Sequence, residues 1–157
     1  MKRILILVAV IGAGWYVSLP DDMPSSKLER YENTQLIEKH VSVGGACAND
    51  KCLVIYVAPW CPSCKSLTPM INDLVKELEQ EGISSSIVIG KDSKSNVLDY
   101  SKHYETSILA DSDGVFFNKV GANGVPYFAV SDKKGKRISH MSGGYTTVER
   151  MRDKLNI

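Results

Sequence analysis

The chain has 157 residues, 43% hydrophobic and 24% charged, which is enough apolar material for one domain with a sizeable core and rules out disorder along its whole length. The formal net charge is +1, with 19 Lys and Arg against 18 Asp and Glu, so charge gives no reason to expect nucleic acid or an anionic membrane as the main partner. The basic cluster Lys133, Lys134, Lys136 and Arg137 reads as a solvated turn.

The N-terminus carries a targeting pattern. Lys2 and Arg3 precede an uncharged apolar run from Ile4 to Val17, and Asp21 and Asp22 follow. A positive start that stays in the cytoplasm, a short apolar core and an acidic far side describe export. Residues 1–19 are therefore expected to be a signal peptide or a signal anchor. As a helix the run would span ~21–25 Å, short of a ~30 Å hydrocarbon core. Residues 20–27, with Pro20, Pro24, Ser25 and Ser26, read as a linker, and 28–157 as the folded domain. Export places Cys47, Cys52, Cys61 and Cys64 in an oxidising compartment where two disulfides can form, and three pairings are open.

In chain order, Leu28 to His40 has helical character and ends before Gly44-Gly45. Cys52 to Ala58 is a nearly continuous β-branched and aromatic run, as in a strand buried on both faces. Pro62 to Gln80 reads as a helix, with Leu67, Met70, Ile71, Leu74, Val75 and Leu78 at spacings of three and four and Gly82 as its stop. Ser84 to Gly90 is a second strand and Ser95 to His103 a helix. Turn chemistry at Asp111 to Gly114 leads into a short helical piece from Val115 to Val120. The segments "VPYFAVSD" and "KRISHMSG" are a third and fourth strand joined by a tight hairpin, and Thr146 to Leu155 is the last helix. Alternating strands and helices predict an α/β fold, a central mixed β-sheet flanked by helices.

The stretch "VAPWCPSCKSLTP", residues 57 to 69, carries the chemistry. A disulfide catalyst needs one cysteine held as a thiolate and a second close enough to resolve the mixed disulfide. Cys61 falls where a strand gives way to a helix, beside unpaired N–H groups and the positive end of the helix dipole. Cys64 lies one turn on, and Pro62 suits the first helical position. Pro62 and Ser63, between the two, influence the redox potential. Zinc would want four ligands. Cys47 and Cys52 are not spaced by two residues and lie ~20 Å away along the strand, and His40, His103 and His140 show no ligand spacing. No metal is expected. A purely structural Cys61–Cys64 disulfide is also disfavoured, because so small a ring restrains the unfolded chain little.

"WCPSCK" from Trp60, Pro69 five residues past Cys64, and "GVPYF" from Gly124 to Phe128 together resemble the thioredoxin superfamily over residues 28 to 157. The exported position and the segment from Asp111 to Ile138 look most like the extracytoplasmic TlpA-like thiol–disulfide oxidoreductases. The resemblance implies Cys61 as the attacking and Cys64 as the resolving cysteine, Trp60 as a shield over the site, and Pro126 as a cis-proline facing the disulfide. It also implies that Val125 offers backbone groups to an extended substrate and that Lys65 helps to hold the thiolate. Pro69 would kink the helix.

One departure is notable. Thioredoxin carries a buried aspartate six residues before its first cysteine, where this chain has Ile55; water, Glu105 and Asp111 are the candidates to take over its proton-handling role. Cys47 and Cys52 are extra to the pattern and read either as a structural disulfide or as a second redox pair. The implied function is exchange of thiols and disulfides with cysteine-containing exported proteins in the periplasm or another extracytoplasmic space. The reducing direction is favoured, fed by a membrane electron donor and without a cofactor. A disulfide oxidase or isomerase, or a non-catalytic chaperone holding extended peptides, is the alternative. The Cys61 sulfur is expected to be open to visiting proteins.

Overall fold

The apolar run from Cys52 builds the middle of a seven-stranded sheet. In the computed structural model, which describes residues 22–157, the elements in chain order are β1 (Ser26–Glu32), β2 (Gln35–Val43), β3 (Lys51–Val57), α1 (Pro62–Gln80), β4 (Ser84–Gly90), α2 (Lys94–Ser101), β5 (Ile108–Asp111), α3 (Val115–Val120), β6 (Tyr127–Asp132), β7 (Arg137–Ser142) and α4 (Val148–Leu155). The expected export segment 1–19, and Pro20 and Asp21 of the expected linker, lie outside the described residues. The strand order is β2-β1-β5-β4-β3-β6-β7. β3, β4 and β5 run parallel, joined by α1 and α2, while β1 and β6 pair antiparallel on either side of them. The sheet is therefore mixed and flanked by helices on both faces.

β3 explains its own composition. Leu53, Ile55 and Val57 point into a core shared with Leu67, Ile71, Leu74 and Leu78 of α1 and with Met151 and Leu155 of α4. Val54 and Tyr56 point the other way, against Val88, Leu109, Phe116 and Val120. A strand covered on both faces has no polar side to alternate with. α1 runs through Pro69 and stops where Gly82 adopts φ +73°, with Ile83 N–H donating to Leu78 O and Gly82 N–H to Glu79 O; this paired closure needs a left-handed residue.

The N-terminal part departs from the sequence-based expectation. Residues 28–40 are not a helix but most of the antiparallel hairpin β1–β2. Asn33 and Thr34 both take positive φ (47° and 67°) between the paired Glu32 and Gln35. A two-residue turn of that kind matches the twist of a hairpin and ends any helix. β1 then pairs with β5, burying Leu28 and Tyr31, and that tertiary gain outweighs local propensity. The stretch read as a linker is partly structured, since β1 begins at Ser26 and Met23 is buried in the α3-side core. β5 is a further strand that the turn-rich sequence around Asp111 hides. Among the described residues no helix is long and apolar enough to cross a membrane.

Candidate functional site

The parallel strands end at one pole of the sheet, and β3 delivers Cys61 there. Cys61 is the N-cap residue of α1, with extended backbone (φ −87°, ψ 112°), and Pro62 opens the helix. Its Sγ accepts the Cys64 N–H at 3.1 Å. A free helix N–H aimed at sulfur, at the positive end of a 19-residue helix, favours the anionic form of the thiol. Ser63 Oγ lies 3.2 Å from the same sulfur and Val125 O 3.5 Å from it. Cys61 and Cys64 form a disulfide, with Cα atoms 5.3 Å apart. The Val125–Pro126 peptide bond is cis, and Gly143 N–H donates to Pro126 O at 2.7 Å, which ties the end of β7 to this loop.

Trp60 stands over the pole, 55% exposed, its Nε1–H donating to Lys91 O at 3.0 Å. Lys65 is exposed on the first turns of α1 and lines a groove of about 640 Å³ shared with Thr68, Tyr100, His103 and Glu105. The structure thus brings together Trp60, Cys61, Pro62, Ser63, Cys64, Val125 and Pro126, with Lys65 at the margin. The Cys61 sulfur is less open than expected. In the disulfide form Cys61 is 3% exposed and Cys64 fully buried, because Cys61 packs into the α1-side core with Ala58 and Cys64. Around it Trp60, Pro62 and Ser63 are exposed and Val125 is half-buried.

Neither carboxylate proposed for proton handling faces Cys64. Asp111 is buried, but its oxygens accept from Tyr56 Oη (2.9 Å), Phe116 N–H and Phe117 N–H (both 3.1 Å). Those partners belong to the α3-side core, whereas Ile55 and Cys64 belong to the α1-side core. Burial first, and the neighbouring Asp111 second, push the Tyr56 hydroxyl far above its usual range, so it remains a donor. Gly90 is needed there, because a Cβ would collide with Tyr56 Oη and Asp111 O. Glu105 is exposed at the mouth of the groove.

What lies behind Cys64 is a row of hydroxyls that the sequence did not announce. Thr68 Oγ1 donates to Cys64 O (3.1 Å) and lies 3.1 Å from Tyr100 Oη, which accepts from Tyr104 Oη at 3.2 Å. Burial drives the Tyr104 hydroxyl well above its ordinary value, with Tyr100 adding to the effect, so Tyr104 remains a donor. Tyr100 and Tyr104 at i, i+4 were the available signal.

At the opposite end of β3, Cys47 and Cys52 form the second disulfide, with Cα atoms 5.6 Å apart. It closes the connection from β2 to β3, and Cys47 is buried. Of the three connectivities open in the sequence, the structure takes the one that joins each cysteine to its near neighbour along the chain.

A family model described as a thioredoxin-like domain matches residues 46–156. No curated protein matches at a significant level. Among solved structures, the chain is similar to a candidate thiol:disulfide interchange protein DsbE from Chlorobium tepidum (17% identity, TM-score 0.69, 87% of this chain and 94% of that one). It is also similar to the pneumococcal exposed lipoprotein thioredoxin Etrx1 from Streptococcus pneumoniae (19%, 0.65, 85% and 98%) and to StoA from Bacillus subtilis (17%, 0.61, 85% and 98%). At these identities the likeness is one of fold.

Proposed function

The chain belongs to the thioredoxin-like family, and from that premise we propose that it is an extracytoplasmic thiol–disulfide oxidoreductase that reduces disulfides of exported proteins. The observation that carries this reading is the Cys61 sulfur at the cap of α1, receiving the Cys64 N–H while disulfide-bonded to Cys64 one turn on. In the dithiol form, Cys61 thiolate attacks one sulfur of a substrate disulfide. A mixed disulfide forms, and the other substrate sulfur leaves as a thiolate that takes up a proton. Cys64 then loses its proton and attacks the Cys61 sulfur, re-forming the Cys61–Cys64 bond and releasing the second substrate thiol. Two electrons pass to the substrate, and a membrane dithiol donor restores the pair.

The neighbours have distinct parts in this scheme. Trp60 covers the pair from one side, and Val125 and Pro126 meet the substrate chain from the other. Ser63 Oγ donates to the thiolate, Pro62 presets the helix start, and Lys65 adds positive charge nearby. The reducing direction and the extracytoplasmic setting rest on the export pattern of residues 1–19 and on the likeness to exported thioredoxin-fold proteins. Reduction of insulin by dithiothreitol with catalytic amounts of the protein tests the reading. The wild type is expected to accelerate it, and Cys64→Ser to accumulate a mixed disulfide on Cys61. Equal rates for wild type and Cys61→Ser would retire the enzyme in favour of a peptide-holding role.

A further inference from the structure

The first described residues are fixed to the pole of the molecule that the proposed active site does not occupy. Met23 N–H donates to Gly135 O at 2.7 Å, Gly45 N–H donates to Met23 O at 3.1 Å, and Asp22 bridges to Lys136. Gly135 lies in the β6–β7 turn, whose strand β6 ends at Asp132 opposite Lys51, the first residue of β3. Cys61 follows the other end of β3. Six strand steps of ~3.3 Å separate the two poles along that strand, ~20 Å in all. Only five residue steps separate Val17, the end of the apolar run, from Asp22, and at ~3.3–3.6 Å each they reach no further than ~18 Å.

A tether that short cannot let the domain turn over. If the run from Ile4 to Val17 sits in the bilayer, the β6–β7 turn stays within ~18 Å of its end, less than the ~20 Å between the poles. Among the exposed side chains at that turn are Lys133, which pairs with Asp50 at 2.7 Å, and Lys134, whose ammonium group suits lipid phosphate. We propose that the β6–β7 turn rests against the phosphate headgroups of the bilayer and that the Cys61–Cys64 pair is thereby presented away from the membrane. The tether, not the net charge of the domain, sets this orientation. A membrane donor must then carry its dithiol ~20 Å beyond the headgroups, while substrates meet the pair from the bulk phase. The inference rests on the reading of residues 1–19 as a retained anchor.

Lysine acetylation footprinting of the full chain on vesicles containing phosphatidylglycerol tests it, because the two poles carry their own reporters. Lys134 marks the turn and Lys65 the active-site pole, both exposed. The comparator is the full chain carrying Leu7→Glu and Val10→Glu, which does not insert. The native chain is expected to float with the vesicles, with Lys134 acetylated several-fold more slowly than in the comparator and Lys65 at an equal rate. Ten Gly/Ser residues inserted between Pro20 and Asp21 are expected to restore the Lys134 rate while flotation persists. Slowing of Lys65 as great as that of Lys134 would overturn the orientation. A native chain that does not float would overturn the anchor and the orientation together. Insulin reduction by the same samples reads the redox activity separately, so either failure leaves that reading standing or falling on its own.

Discussion

Two disulfides of nearly the same ring size sit at opposite ends of one strand, and their surroundings assign them different work. Cys47 and Cys52 are separated by 5 positions, Cys61 and Cys64 by 3. Chain entropy alone gives each closure about 2 kcal/mol, so ring size does not tell them apart. The difference lies in what the sulfurs meet. Cys61 Sγ takes a helix N–H and has Ser63 Oγ beside it, contacts that stabilise a thiolate and so favour opening the bond. Cys47 and Cys52 belong to a loop and a strand start, and neither caps a helix N-terminus among the described residues. A sulfur's position relative to a helix N-terminus, more than its loop length, marks a disulfide as exchangeable.

The most severe test of this contrast is activity. Cys61→Ser is expected to bring insulin turnover down to the uncatalysed rate, whereas Cys47→Ser with Cys52→Ser keeps the wild-type rate. Loss of turnover in the second variant would make that pair part of the cycle. Redox titration separates the pairs next. Cys61–Cys64 is expected to equilibrate with glutathione at about −200 mV or below, as a reductase requires, while Cys47–Cys52 stays closed to about −300 mV. A Cys61–Cys64 potential above about −150 mV would reverse the proposed direction. In urea unfolding the double serine variant is expected to lose about 2 kcal/mol, the entropy of its small ring. An unchanged midpoint would leave that bond without a structural role.

The same strand shows what the sequence made legible. The place of Cys61 and Cys64 at the start of α1 could be read from "WCPSCK", because the apolar strand stops there and Pro62 suits a first helical position. α1 and β4 could be read because their apolar periods match their burial. The hairpin β1–β2 could not. Leu28 and Tyr31 stand three apart, as on a helix, and the pairing that holds the hairpin to the rest of the sheet comes from β5, some eighty residues away. Asn33-Thr34 is a weak turn signal compared with Asn-Gly. The low exposure of Cys61 and the facing of Asp111 are likewise tertiary facts. Asp111 is close to the pole in sequence terms yet sits across the sheet from Cys64, and only the alternation of Ile55 and Tyr56 on β3 puts it there.

Behind Cys64, the hydroxyl row gives a smaller effect. Tyr100→Phe removes the group that joins Thr68 to Tyr104 and is expected to cost about 1 kcal/mol, the net worth of a hydrogen bond in a buried row. Insulin turnover under saturating reductant is expected to persist. A loss of turnover with stability intact would instead place Tyr100 in proton transfer from Cys64.

The smallest effect concerns how the hairpin is held at the end away from the Cys47–Cys52 ring. Lys94 Nζ meets Glu29 Oε2 at 2.8 Å, joining β1 to α2, and Tyr31 Oη donates to the same carboxylate. The hydrogen bond from Lys94, and after it that from Tyr31, holds the Glu29 carboxyl below its ordinary value of 4.5. A carboxyl lowered in the folded state adds stability above its unfolded value, and that stability drains away as pH falls through the folded one. Both side chains are more than a third exposed, so water screens the pair and leaves its contribution small. Glu29→Gln should therefore lower the urea midpoint slightly at pH 7. The gap should narrow below about pH 4.5 as the wild-type carboxyl protonates, and shrink in 1 M salt. If the gap is the same at every pH, the loss comes from packing around Tyr31. If it exceeds the loss from opening the Cys47–Cys52 ring, the hairpin is held chiefly by its charges and not by the covalent ring that follows it.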